Sequence, residues 1–362
     1  MSTKNKFISF LSIRTAMVGF SIILLTFFIT VFSYTIAPDH TPNANRQMLE
    51  IQARPPGFKQ LFLVLPDSRT KNSTSLNDCF FGKTDYDKWI PIKKYKVDAE
   101  RIYVDRYVDE DTSVLESYAL HQLKNENADD WRKQLKTQTY WLGTDGFGRD
   151  LLSRILVGSR VSLSVGFIAV AVSLLLGIFL GALGGYYQGR VDAIVVWLIH
   201  VVWSLPTLLL VFAFTIIMGK GYWQIFFAVG LTMWVNVARL VRGQVLTLKN
   251  RDFVKAALIM GFSDVRIMVK HILPNLIGPI MVIAAGNFAS AIMIEAGLSF
   301  LGLGIQPPEP SWGGMIRENY SFILTNKPFL AIVPGFAIMT LVTSFFLVGN
   351  GLRDVLDVKS DR

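Results

Sequence analysis

The sequence predicts an all-α integral membrane protein with six transmembrane helices and a polar insertion between the first two. Three observations predict it. The 362 residues are 51% hydrophobic and only 17% charged, with a mean hydropathy of +0.40, whereas a soluble domain runs at about 25% charged. Of the 63 charged residues, 37 fall between Pro38 and Arg160. The rest of the chain holds six charge-free runs of 18 to 29 residues: 15–38, 161–189, 193–219, 221–238, 271–294 and 328–352. A hydrocarbon core about 30 Å thick needs roughly 20 apolar residues rising 1.5 Å each. Buried helices of a large soluble protein are the bland alternative, and six such runs in one chain argue against it.

The same composition excludes disorder. A single cysteine, Cys79, excludes an intramolecular disulfide framework and a cysteine-based zinc cluster. The first run follows Lys4, Lys6 and Arg14, as a signal peptide would. Its apolar stretch exceeds the 7–15 residues (roughly) of such a segment, and no small-residue cleavage site precedes Pro38. It reads as a retained helix. The elements expected in order are the N-terminus and first span (1–37), an insertion (38–140), a membrane core (141–352) and a tail (353–362). Within the core, helices are expected at about 161–185, 193–218, 221–241, 277–298 and 328–350, with a loop over 242–276.

Orientation follows from Lys and Arg in short loops, the long first loop being set aside. With the N-terminus inside, fourteen lie on inside segments: Lys4, Lys6, Arg14, Arg190, Arg239, Arg242, Lys249, Arg251, Lys255, Arg266, Lys270, Arg353, Lys359 and Arg362. Lys220, Arg317 and Lys327 lie outside. Both termini are therefore expected in the cytoplasm and the insertion beyond the membrane. The net charge of +9 becomes a topology signal, and nucleic acid is not an expected partner.

The insertion mixes 19 basic with 18 acidic residues over 38–160 and shows no catalytic or metal spacing. Leu61–Leu65 and Arg101–Val108 look like strands, and Leu115–Trp131 like a helix. Thr144 or Asp145 is expected to cap a short amphipathic helix carrying Leu151, Leu152, Ile155 and Leu156, lying at the membrane surface.

The loop Arg251–Asn275 is expected to form two short helices. Gly261 suits the left-handed residue that ends the first, and Ser263 suits the cap of the second. Ala256 and Ala257 lack bulk, so a partner can approach closely, and the surrounding basic residues fit an acidic or polar surface.

This segment resembles the cytoplasmic coupling motif of permease subunits in ATP-binding-cassette (ABC) importers. Ala256, Ala257, Gly261, Leu273 and Pro274 match at the motif's spacing, while Lys255 replaces its Glu and His271 its Ile. The form His271-Ile272-Leu273-Pro274-Asn275 is similar to the dipeptide/oligopeptide/nickel branch, specifically its oligopeptide permease C-type membrane subunit. Leu142-Gly143-Thr144-Asp145, Gly148-Arg149-Asp150, Gly302 to Pro308, Ser311-Trp312-Gly313 and Gly349 to Asp354 support the same branch. The resemblance covers the first span and roughly 139–358, leaving about 45–137 outside it.

The resemblance implies a type I ABC importer permease fold in a bacterial inner (cytoplasmic) membrane. It implies import of di- or oligopeptides, with nickel or another small solute as the alternative. Partners would be a second homologous permease, two ABC ATPases, an extracytoplasmic solute-binding protein and the bilayer. The chain has no phosphate-binding G-x-x-x-x-G-K-[ST] loop. It is expected to bind no cofactor or metal and to catalyse nothing, ATP-Mg being used by the ATPase partners. The helix Ala256–Gly261 would sit in an ATPase cleft, and its displacement would tilt the spans.

Polar groups inside the spans are candidates for lining the substrate path, and intramembrane ionisable groups are functional candidates by default. Here they are His200 in the third run and Glu295 near the outer end of the fifth, close enough to the interface to meet water; Asn287 joins them mid-span. An ion-coupled secondary transporter would need more buried carboxylates or repeated halves. An intramembrane enzyme would need H-E-x-x-H, G-x-S-x-G or paired carboxylates, and the sequence has none. Protease added to spheroplasts is expected to cut within 45–137 and spare 249–270; the reverse pattern inverts the topology.

Overall fold

The structure, a computed structural model, describes residues 10–67, 69, 76–123, 131–219 and 221–357. Expectations for Lys4, Lys6, Lys220, Lys359, Arg362 and insertion positions 68, 70–75 and 124–130 lie outside the described residues.

Besides the short helices Ser33–Ile36 and Leu76–Phe81, the α-helices are α1 (Arg14–Val31), α2 (Leu151–Tyr187), α3 (Gly189–Trp203), α4 (Thr207–Met218) and α5 (Tyr222–Lys249). After them come α6 (Asp252–Ile259), α7 (Asp264–Ile267), α8 (Leu273–Phe300), α9 (Trp312–Asn319) and α10 (Phe329–Asp357). Among the described residues five helices are long and apolar enough to cross a membrane, or six if the bent pair α3–α4 counts as one span.

That pair is the helix expected over 193–218, broken in two. The two helices meet at 93°. Proline lacks the N–H that a continuing helix needs and pushes the preceding residue away from the α region. Pro206 accordingly stands as the non-helical cap of α4, and Ser204 closes α3 by donating its backbone N–H to the His200 carbonyl.

The insertion corrects the all-α expectation. It holds a five-stranded antiparallel sheet: β1 (Phe58–Leu65), β2 (Lys88–Val97), β3 (Arg101–Tyr107), β4 (Ser113–Ala119) and β5 (Leu135–Tyr140), in the order β4-β3-β2-β1-β5. Side chains alternate across a strand, so the run Phe62-Leu63-Val64 serves two faces at once. Phe62 and Val64 pack with Met48, Ile51 and Tyr140, while Leu63 packs with Ile90, Ile92, Ile102 and Val104. The helix expected from Leu115 is instead edge strand β4, because Leu115 pairs with Asp105 of β3 and the neighbouring strand decides the backbone.

The separate surface helix after Thr144 also does not form. Asp150, not Thr144 or Asp145, caps α2 by accepting the Ser153 backbone N–H at 2.9 Å, and α2 then runs unbroken for 37 residues.

Lipid gives apolar helices no hydrophobic reason to associate, so close backbone packing through small residues takes over. Gly177, Gly181 and Gly185, four apart on α2, face α5. A Cβ built on Gly181 would lie 2.5 Å from the Ala238 carbonyl oxygen, and one on Gly185 2.7 Å from that of Arg242. Ala16 of α1 meets Gly351 of α10, and Leu356 meets Gly278, at the end of the bundle that carries α6 and α7. The sheet occupies the opposite end, where Arg54 and Phe329 converge on Gly143.

Gly181→Leu is expected to lower stability by ~1–3 kcal/mol through overpacking. Gly243→Ala, where a Cβ meets nothing within 4 Å, is expected to keep it or raise it by up to ~1 kcal/mol. Thermal unfolding in detergent checks both.

Candidate functional site

The loop between α5 and α8 is built to hold a small knob rigidly. Helix α6 ends in a Schellman turn: Phe262 donates its backbone N–H to the Ala257 carbonyl and Gly261 to that of Leu258. Gly261 has φ +77°, which only glycine adopts without steric cost. Ser263 stands at the cap position of α7 without its hydroxyl capping, which corrects that expectation; its carbonyl accepts the Ile267 N–H instead. Pro274 cannot donate, so the turn before it widens into a π segment, Met268–Ile272, in which Leu273 bonds back to Met268.

The two alanines do different jobs. Ala257 is 1% exposed and packs with Val245, Val254, Ile267 and Ile272, so it cannot meet a partner, contrary to the sequence expectation. Ala256 is exposed. Around it Phe253, Leu258, Ile259 and Met260 project outward, with Ile259 87% exposed. Arg251, Lys255, Arg266 and Lys270 are exposed about this apolar tip. His271 stacks on Phe262, and the Arg266 guanidinium also lies over that ring, 4.2 Å from its centre. Leu273 is half-buried and Pro274 exposed in the first turn of α8.

One tie anchors the knob to the bundle, and two more hold the helices beside it. Tyr186, at the end of α2, donates its hydroxyl to Asp264 at 2.8 Å, and Lys249 donates to the Tyr186 carbonyl at 2.6 Å. Arg242 of α5 forks onto Asp192 of α3.

The intramembrane candidates are not brought together. Asn287 is buried, donates to Ser173 at 3.4 Å and lines a cavity of about 270 Å³ with Thr232, Asn236, Ser290 and the Trp203 ring. His200 is exposed on α3, and neither it nor Glu295 lines that cavity. Glu295 is 0% exposed, so the expected contact with water is corrected. Arg239 stacks on Trp203, 3.3 Å from the ring centre, beside the α3–α4 bend.

Sequence reasoning missed a buried ion cluster at the opposite end. Arg149 holds Asp145 at 2.6 Å and also Glu318, and Arg154, 1% exposed, approaches Asp145 at 3.6 Å and Glu318 at 3.4 Å. It locks α2 to α9. The insertion grips the same turn: Ala53 donates to the Asp145 carbonyl, Arg54 to the Thr144 hydroxyl, and the Met48 carbonyl lies where a Cβ on Gly148 would be. The motif was visible as charges and glycines close in sequence; Glu318, its completing anion, is 169 residues from Arg149.

Residues 147–359 match the family described as the binding-protein-dependent transport system inner membrane component. The chain belongs to that family, so it is a permease subunit of an ABC importer. It is 42% identical over 223 residues to the glutathione transport system permease protein GsiD of Pectobacterium atrosepticum, covering 62% of this chain and 74% of the relative. It is 40% identical over 228 residues to the dipeptide transport system permease protein DppC of Alkalihalophilus pseudofirmus (63% and 75%). Against the oligopeptide transport system permease protein OppC of Bacillus subtilis it is 40% identical over 223 residues (62% and 73%).

Burial pushes the Asp150 carboxyl up to about 6, against the hydrogen bonds from Ser153 that lower it. A carboxyl raised on folding binds its proton more tightly in the folded state. Its contribution to stability is full below the unfolded value near 3.8 and is lost as pH rises through about 6. Asp150→Asn, which keeps a capping oxygen, is expected to flatten that part of the stability profile between pH 4 and 7 (roughly) relative to wild type in detergent melts.

Proposed function

We propose that this chain and a second homologous permease together line the path of an ATP-driven importer that carries peptides across a bacterial inner membrane. Its relatives are permeases of glutathione, dipeptide and oligopeptide systems, which supports peptides over nickel or another small solute. The chain is a transport subunit, and hydrolysis belongs to other subunits. Two ATPases using ATP-Mg and an extracytoplasmic solute-binding protein complete the complex. The bent pair α3–α4 is the third of six spans in a type I importer fold, with both termini and the α6–α7 loop in the cytoplasm and the sheet outside.

One observation carries the mechanism: an exposed apolar tip in a basic surround, set on its own small core and continuous with α5 and α8. Ala256, Ile259 and Met260 enter an ATPase cleft, with Lys255 at its rim. Ala257, Gly261, His271, Leu273 and Pro274 shape the knob rather than touch the partner. Closure of the ATPase pair on ATP displaces the knob, and the anchored helices carry that movement into the membrane. This is a two-state transition biased by a ligand held elsewhere, and the bias must amount to a few kcal/mol to shift the population usefully. Asn287 and its cavity form this subunit's wall of the peptide path. His200 lies outside that cavity, on the exposed face of α3.

Ile259→Glu is expected to abolish ATPase co-purification and cut ATP-dependent peptide uptake at least about tenfold, with folded yield unchanged. Ala257→Leu is expected to lower folded yield instead, since it overpacks the loop core. Uptake should stop on ATP depletion and survive an uncoupler; the opposite result would make the chain an ion-coupled carrier.

A further inference from the structure

Glu295 is the single charged-type residue of α8, and the transport reading gives it no task. Its carboxyl is fully buried. Ser299 donates to Oε1 at 2.6 Å, Ser311 donates to the Ser299 hydroxyl at 3.2 Å, and the Gly314 backbone N–H donates to the Ser311 hydroxyl at 3.0 Å. The four groups form one directed chain of hydrogen bonds from the first turn of α9 to the last turns of α8. Oε2 has no partner, and no ion pair among the described residues reaches Glu295.

The packing leaves room for this chain and little else. A Cβ on Gly304 would lie 1.8 Å from the Ser299 hydroxyl, and one on Gly313 2.5 Å from the Ala296 Cα. Titratable and charged groups nearby are Tyr222 from α5, with Arg160 of α2 and Glu309 before α9 acting on that tyrosine. None pairs with Glu295. An ionised carboxylate here would keep one buried oxygen without a hydrogen-bond partner, a far larger cost than burying the neutral acid.

We propose that Glu295 is carried as an uncharged carboxylic acid and acts as a positioning residue, holding the entry of α9 against the end of α8 remote from the coupling loop. A displacement of α8 that begins at the loop then carries the 301–311 segment and α9 with it as one body. This second part rests on the reading of the loop as the ATPase contact.

The test uses the whole transporter in lipid at pH 7.5 (roughly), above the range in which Asp150 holds its proton. Infrared spectra are expected to show the carbonyl stretch of a protonated acid in wild type that is missing from Glu295→Gln. Glu295→Gln is expected to transport like wild type. Glu295→Ala, and Ser299→Ala combined with Ser311→Ala, are expected to lower peptide taken up per ATP hydrolysed by about tenfold while the ATPases still co-purify. Absence of the acid band overturns the proposal. So does a Glu295→Gln defect as deep as that of Glu295→Ala, because it would show that charge is required. Should Ile259→Glu leave ATPase binding intact, the coupling reading fails alone, and the infrared band and the Gln rescue still decide the state of Glu295.

Discussion

The architecture depends on the direct backbone contact of α2 with α5. In a bilayer the apolar faces of helices gain nothing by leaving lipid for each other, so shape decides which helices associate. Gly177, Gly181 and Gly185 bring the α5 carbonyls within van der Waals reach of α2. Everything functional hangs on these two helices. The far end of α2 carries the Arg149–Arg154 cluster, and its near end carries Tyr186, which holds Asp264 of the coupling loop. The loop is thus tied to a closely packed pair.

The two ends of the bundle use opposite electrostatics. At the sheet end, guanidinium and carboxylate groups are buried against each other, an arrangement whose desolvation cost makes it a poor source of net stability but leaves little freedom for misregistration. At the loop end, Arg251, Lys255, Arg266 and Lys270 stay in water and surround an apolar tip. A buried network suits a joint that must not move. An exposed charged collar leaves the apolar tip open to solvent.

Much of this was legible early because it is local. Charge-free runs report spans, and the Gly261 turn reports the end of α6. The insertion was less legible: Phe62-Leu63-Val64 is continuous apolar sequence, and only the presence of packing on both faces makes it a central strand. The roles of Ala256 and Ala257 were also hidden, since adjacent residues differ by about 100° around a helix and only the neighbouring core says which one faces in.

The sequence by itself determined the membrane class, the apolar segments, the coupling-loop spacing and the family, because each is a property of contiguous residues or of composition. Tertiary structure alone decided how five strands are ordered in the insertion, that Glu318 completes a cluster with Asp145, Arg149 and Arg154, and that Glu295 is fully buried. Those are relations between residues far apart in the chain. Burial and the identity of a distant partner set them, and neither is written in the local pattern.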